Sequence, residues 1–204
     1  MKILALVLAR GGSKRLLNKN LRKIGGKTLV ELAIASGQNL KEIVDILVST
    51  DDKRISRISK KAGALVPWLR SKKLSKDNTP SVKSAIDALE WYQKFMGRVD
   101  GLLLLQPTSP FRKKSTIQRA IRLLKKNPNR QIVSIFYTKK NFLKKKLING
   151  VIYLTPVKQL KKYKTFYHNS FLPLLMKSKK ESIDIDTMKD LMRARNYYNK
   201  NLLD

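Results

Sequence analysis

The sequence predicts an α/β fold in which helices cover a mostly parallel sheet. Three largely apolar segments, at 3–9, 43–50 and 99–105, are typical of strands buried on both faces. Segments with apolar residues at helical spacing, such as 29–40 and 115–126, alternate with them. Because glycine and polar residues follow the strands, we expect a ligand site at the carboxyl edge of the sheet.

The first strand is expected to lead into an anion site. Seven consecutive apolar residues, 3–9, precede Gly11 and Gly12, and the basic residues around that turn are Arg10, Lys14, Arg15 and Lys19. Backbone N–H groups in such a turn can bind an anion, which favours triphosphate binding. The stretch matches neither the P-loop nor the dinucleotide fingerprint, so a solvated basic loop stays open as an alternative. A signal peptide is disfavoured because basic residues, and no cleavage site, follow the apolar run.

The middle of the chain continues the alternation. We expect a turn at 24–28, a helix over 29–40, a strand over 43–50 and a helix over 52–62. A short strand over 63–70 then leads into a loop, 71–80. Ser81 can serve as the N-cap of a helix over 82–95 or as a hydrogen-bonding group for a ligand. Arg70, at the start of the loop, can clamp a phosphate.

The second half begins with the strand at 99–105, which ends in Gln106-Pro107-Thr108-Ser109-Pro110. Two prolines stiffen this loop, and Gln106 offers both a donor and an acceptor to a base or sugar. A helix over 115–126 and a strand over 131–136 follow. Residues 155–180 are basic and less periodic, which indicates a cover over the sheet or, alternatively, an aromatic and basic nucleic-acid surface.

Two carboxylates near the end of the chain form the candidate metal site. In an extended strand, residues two apart face the same side, so Asp184 and Asp186 would point together while Ile183 and Ile185 point into the sheet. Oxygen ligands of this kind suit Mg²⁺, which also binds substrate phosphates. The alternative is ion pairing with lysines plus a Thr187-x-x-Asp190 cap for a last helix that runs to about Asn201.

Composition limits the function classes. The 204 residues suit a single domain, 1–204, and the absence of cysteine excludes disulfides and zinc–thiolate sites and fits the cytoplasm. His168 is the only histidine, and no apolar run approaches the length of a membrane span. The net charge of +31 would ordinarily suggest nucleic-acid binding. The lysines are, however, spread along the polar sides of helices, which is typical of solvent-exposed faces.

Several segments together resemble one family, the acylneuraminate cytidylyltransferases, or CMP-sialic acid synthetases. The matching segments are Ala9-Arg10-Gly11-Gly12-Ser13-Lys14 with Lys19-Asn20, Val48-Ser49-Thr50-Asp51-Asp52, the Arg70-to-Ser81 segment, Leu105-Gln106-Pro107-Thr108-Ser109-Pro110 with Arg112, Asn149-Gly150-Val151-Ile152-Tyr153, and Asp184-Ile185-Asp186-Thr187 with Asp190. The chain departs from the pattern in lacking the usual proline near Leu17 and in having Ser71 where proline is usual.

The resemblance implies a three-layer, Rossmann-like fold of the nucleotide-diphospho-sugar transferase type. It also implies that CTP and a nonulosonic, sialic-like acid form a CMP-sugar and pyrophosphate with Mg²⁺. On this basis the phosphate and catalytic residues are Arg10, Lys14, Lys19 and Asp186. The nucleotide residues are Ala9, Arg10, Gly11, Gly12, Ser13, Asn20, Arg70 and Ser81; the substrate residues are Gln106 and Asn149; and the metal ligands are Asp184 and Asp186.

A shortened segment keeps alternatives open. Relatives usually carry a long excursion that shapes the sugar pocket and reaches a second subunit, whereas only 135–148 separates Ser134 from Asn149 here. The shortening argues against the usual homodimer. The alternatives are a related enzyme for another acid, such as an eight-carbon ulosonic sugar, or another nucleotide; a non-catalytic relative that binds CTP; and, least favoured, a basic nucleic-acid-binding module.

Overall fold

The computed structural model describes residues 1–140, 143–176 and 178–200, with the backbone alone at 137–140 and 143–147. The strands of these residues are β1 (Ile3–Leu8), β2 (Lys23–Ile24), β3 (Lys27–Thr28), β4 (Ile43–Ser49), β5 (Gly101–Leu104), β6 (Ile132–Lys140), β7 (Leu143–Pro156) and β8 (Leu172–Leu175). The helices are α1 (Leu29–Gly37), α2 (Lys53–Lys61), α3 (Ser81–Phe95), α4 (Lys114–Lys126), α5 (Val157–Tyr163) and α6 (Met188–Lys200).

Six of the strands form one mixed, mostly parallel sheet in the order β4-β1-β5-β7-β6-β8. β1 is parallel to both β4 and β5, while β7 runs antiparallel to β5 and to β6, and β6 is parallel to β8. β7 is therefore the one strand of this sheet that opposes the others. The predicted fold class is confirmed, and the shortened segment contributes to an antiparallel β6–β7 ladder that extends to Lys140 paired with Leu143.

The strand β1 supplies side chains to both faces of the sheet, as its continuous apolar sequence predicts. Ile3, Ala5 and Val7 pack into a core shared with α1, α2 and α4, and Leu4 and Leu6 pack into a second core shared with α3 and α5. Helices on both faces bury the central strands and leave the carboxyl ends of β1 and β5 at one edge. The segment 155–180 covers the sheet in part, because Leu160 and Phe166 lie in the second core.

Three local predictions are wrong. Residues 63–70 form no strand, since Leu65 makes one bridge with Leu47 and the following Pro67 has no N–H to continue the pairing. Ser81 is the first residue of α3, whose N-cap is Pro80, and makes no capping bond. Residues 183–186 are extended but not a strand. The predicted last residue of the final helix, Asn201, lies outside the described residues.

No helix among the described residues is long and apolar enough to cross a membrane.

Candidate functional site

The carboxyl ends of β1 and β5 open into a cleft of about 540 Å³, called here the main cleft. Its walls come from the loop after β1, the loop before α3 and the loop after β5. Eight of the residues singled out from the sequence line it: Arg10, Ser13, Lys14, Lys19, Asn20, Arg70, Ser81 and Gln106. The fold therefore brings together residues that lie nearly 100 positions apart in the sequence.

The loop after β1 is braced by the end of β4. The Gly11 N–H donates to the Asp51 carboxylate at 2.9 Å, and a Cβ at Gly11 would lie 2.9 Å from the Asp52 side chain. Asn20, which is buried, donates from Nδ2 to the Arg10 carbonyl at 2.8 Å. This close approach explains the glycine at position 11 and fixes the position from which Arg10 reaches the cleft.

The expected cradle of backbone N–H groups is not formed by Gly11 or Ser13. The Gly11 N–H is taken by Asp51, and the Ser13 N–H donates to the Gly11 carbonyl at 3.0 Å. The positive charge at this site therefore comes from side chains. Gly12 is exposed with open space around it, and Ala9 lies in the core, where its N–H donates to Ser49.

The basic side chains of the loop are shared between two carboxylates. Arg10 and Lys14 pair with Asp77, the latter at 2.7 Å. Lys19 and Arg15 pair with Asp186, at 2.9 and 3.0 Å. All four of these cations line the main cleft, which suits the charge of a triphosphate.

Arg70 adds a buried cation to the same cleft. Its backbone N–H donates to Thr50, its Nε donates to Ser75 at 3.2 Å, and its Nη2 lies 4.0 Å from Asp51. Burial lowers the pKa of Arg70, and the nearby Asp51 charge partly opposes that effect. A buried guanidinium that is only partly neutralised favours the approach of an anionic ligand.

Gln106 lies where the main cleft meets a second cavity. The second cavity has a volume of about 380 Å³, and the two share Ser81, Leu104 and Gln106. Gly150 approaches Gln106 so closely that a Cβ there would lie 2.7 Å from Oε1. The sequence interpretation of Gln106 as a group that faces a ligand is consistent with this location.

The second cavity contains residues that the sequence reasoning did not assign to a site. Tyr153 stacks on Tyr167, with ring centroids 6.0 Å apart, and Phe166 and Lys164 complete the wall. Burial is the main cause that raises the pKa of Tyr153 to about 12, so its hydroxyl stays protonated at neutral pH. Tyr153 ends the Asn149-to-Tyr153 motif, which was the available signal for it.

Asn149 itself is not brought to either cavity. Its Nδ2 donates to Ser182 at 2.9 Å, while its Oδ1 accepts from the Ser134 hydroxyl at 2.5 Å. The amide thus joins the β6–β7 pair to the segment that precedes Ile183. In this structure Asn149 supports the site rather than facing it.

The two carboxylates, Asp184 and Asp186, lie next to the main cleft. Each contacts a residue that lines the cleft: Lys19 pairs with Asp186, and the Thr108 hydroxyl donates to Asp184. Desolvation raises the pKa of Asp184, and the Asp186 charge adds to that effect. The Ile185 N–H donates to the Thr108 carbonyl at 2.9 Å and holds the segment extended without a strand.

The donor chemistry of this pair fits Mg²⁺. A cation beside the pair would favour the ionised form of Asp184, which desolvation and the Asp186 charge disfavour. Within the described ranges, no cluster of three or more Asp, Glu, His or Cys side chains could hold a metal. A cation here would therefore take its remaining ligands from water and from a phosphate in the cleft, as Mg²⁺ commonly does. The predicted Thr187–Asp190 cap is also present, with the Thr187 N–H 2.8 Å from Asp190.

Comparison with known proteins places these features in context. A family model described as "Cytidylyltransferase" matches residues 4–200. The chain is 37% identical to the CMP-N,N'-diacetyllegionaminic acid synthase of Legionella pneumophila over 92% of each chain. It is 34% identical to a pseudaminic acid cytidylyltransferase of Campylobacter jejuni, over 59% of this chain and 52% of the relative.

Solved structures share the fold at low sequence identity. A CMP:2-keto-3-deoxy-manno-octonic acid synthetase complexed with CTP has a TM-score of 0.71 at 14% identity, and the match covers 98% of this chain and 100% of the other. The 4-diphosphocytidyl-2C-methyl-D-erythritol synthase of Anaerococcus prevotii has a TM-score of 0.61 at 15% identity, covering 97% of this chain and 98% of the other.

Proposed function

Because the chain belongs to the cytidylyltransferase family, we propose that it transfers CMP from CTP to a nonulosonic acid of the legionaminic type. The anomeric hydroxyl of the acid attacks the α-phosphorus, the bond to the bridging oxygen breaks, and pyrophosphate and a proton leave. The observation that carries this proposal is the convergence of Arg10, Lys14, Lys19 and Arg70 on one cleft of sufficient volume.

The cationic side chains that line the cleft differ in how exposed they are. Arg10 and Lys14 come from the loop after β1 and suit the leaving pyrophosphate, whereas the buried Arg70 and Ser81, which line the same cleft, suit the nucleotide. Transfer of a phosphoryl group depends mainly on positioning and on neutralising negative charge, which these side chains supply. Asp184 and Asp186 would hold Mg²⁺, which when bound neutralises phosphate charge and lowers the pKa of an attacking hydroxyl.

The second cavity is the proposed acceptor site. It meets the main cleft at Gln106, so an acid bound there lies next to the phosphates. Tyr153 and Tyr167 offer flat surfaces to a sugar ring, and Lys164 offers a cation to the acid's carboxylate. The legionaminic type is preferred among acids because the Legionella relative matches over 92% of the chain at 37% identity.

The test is pyrophosphate release from CTP with N,N'-diacetyllegionaminic, pseudaminic and N-acetylneuraminic acids, with and without Mg²⁺. We expect turnover with the first acid, and a loss of at least about 100-fold in Asp186→Asn because a metal ligand is removed. Glu42→Gln, which removes a carboxylate that pairs with Lys125 on another part of the molecule, is the matched control and should keep full activity.

Each of the other possible results would favour one of the alternative functions. Turnover with only a different acid would keep the reaction and change the substrate. Binding of CTP without turnover on any acid would indicate a non-catalytic relative. Activity that is unchanged in Asp186→Asn would contradict the proposed metal site.

A further inference from the structure

One carboxylate of the chain already pairs with the two cations of the main cleft that are assigned to pyrophosphate. Asp77 lies in the loop before α3, and each of its oxygens holds one cation: Oδ1 contacts Arg10 and Oδ2 lies 2.7 Å from Lys14 Nζ. A phosphate group bridges two cations in the same manner, through separate oxygens. Asp77 therefore resembles the ligand that those cations would bind.

The ion pairs of Asp77 with Arg10 and Lys14 position these cations but can be displaced by a ligand. The side chain of Lys14 is 82% exposed, so its position depends on Asp77 rather than on packing. The bond from Lys14 and the charge of Arg10 lower the pKa of Asp77, which is ionised at neutral pH. Ion pairs between exposed side chains contribute little free energy, so a multiply charged anion can replace this carboxylate.

The loop around Asp77 does not depend on these pairs for its shape. The Thr79 N–H donates to the Lys76 carbonyl at 3.1 Å and closes a turn with Asp77 at its first central position. The Thr79 hydroxyl donates to Lys73, and Ser75 accepts from Arg70. Asp77 can therefore release its cations by a side-chain movement while the turn stays intact.

We propose that Asp77 is a specificity-determining residue that competes with the pyrophosphoryl group for Arg10 and Lys14. This inference rests on the proposed function, which assigns those cations to pyrophosphate. A ligand that reaches them must displace Asp77, whereas a ligand that ends at the α-phosphate need not. After transfer, Asp77 recaptures both cations and favours the release of pyrophosphate, while the CMP-sugar is unaffected.

The experiment compares calorimetric titrations of wild type, Asp77→Asn and Glu90→Gln with CTP, pyrophosphate and CMP. Removing the competitor should lower the Kd for CTP and for pyrophosphate by about three- to tenfold, and should change the Kd for CMP less than about twofold. Glu90→Gln removes an exposed carboxylate of the neighbouring helix α3 and should leave all three values unchanged. Thermal unfolding confirms that both variants fold.

Three results would overturn the inference. Weaker binding of CTP and pyrophosphate in Asp77→Asn would mean that Asp77 organises the cations for the ligand. Equal tightening of all three ligands would mean a general change in the electric field. If wild type bound neither CTP nor pyrophosphate, the proposed function would fail and this inference with it, whereas failure of the first two kinds would leave the proposed function standing.

Discussion

Replacing Arg112 should uncouple the loop after β5 from strand β7. The guanidinium is buried and donates through Nε to the Val151 carbonyl at 2.7 Å, through Nη2 to the Gln106 carbonyl at 3.0 Å and through Nη1 to the Ser36 hydroxyl at 3.3 Å. Burial lowers the pKa of Arg112 to about 10, which leaves it charged at neutral pH. The residue thus joins the loop that carries Gln106 to the strand that faces it.

The size of the effect follows from the acceptors that Arg112→Met would leave. The Val151 carbonyl loses this donor, and a buried acceptor without a partner costs about 1–3 kcal/mol. The Gln106 carbonyl keeps one donor, the Ser109 N–H at 3.2 Å, so its loss is smaller. Relief of the buried charge offsets part of the total. We expect a net loss of about 2 kcal/mol, which lowers the Tm by about 4–8 °C in a chain of this size.

The assay is thermal unfolding followed by circular dichroism, with steady-state kinetics well below the lowered Tm. The KM for the acid should rise more than that for CTP, since Gln106 lies at the entrance to the second cavity. Arg119→Met, which removes a partly exposed arginine with one bond to the Leu175 carbonyl, should cost less than about 1 kcal/mol. The reasoning is refuted if Arg112→Met and Arg119→Met lower the Tm equally.

Two further variants test the close approach of Gly150 to Gln106 and the contribution of Asp52 to stability. Gly150→Ala should lower kcat/KM by at least about tenfold, because the residue has φ of 72° and the new Cβ would lie 2.7 Å from Gln106. The control is Gly26→Ala, which has φ of 79° and open space around it, and which should lose stability but keep activity. Asp52→Asn should lower the free energy of unfolding by about 0.5–1 kcal/mol at neutral pH. The bond from Arg54 holds the pKa of Asp52 below its usual 3.8. This stabilisation is therefore present above that value and is lost as the pH falls through the folded-state pKa. If the variant and wild type still differed in their free energy of unfolding below the folded-state pKa, this reasoning would be contradicted.

The fold and the cleft were accessible to sequence reasoning because they depend on local pattern. The apolar run of β1 and the alternation of strands and helices determine which edge of the sheet is open. The glycine at position 11 was identified, but the reason for it was not, since that reason is the approach of Asp52 from the start of helix α2. The hydrogen bond from the Gly11 N–H to Asp51 could not be predicted either, because the two residues are distant in the sequence.

Roles that depend on partners distant in the sequence were not predictable. Asn149 was assigned to the substrate from a motif, but its partners are Ser134 and Ser182, which no local spacing brings together. Asp77 was part of a matched segment without an assigned role, because its contacts with Arg10 and Lys14 cross more than 60 positions. A motif therefore does not indicate which of its residues line the cleft and which contact other parts of the fold.

The carboxylate pair lies beside the main cleft although the predicted strand is not formed. The prediction relied on a strand, in which Asp184 and Asp186 share a face. The structure has no strand there, because the Asp186 N–H is used by Asp190 while the Ile185 N–H bonds to Thr108. The predicted alternation of burial is nevertheless present, since Ile185 is buried while Asp184 is exposed and Asp186 is partly exposed. What sequence alternation could not supply is Lys19, 167 positions away, whose contact with Asp186 joins the carboxylates to the cleft.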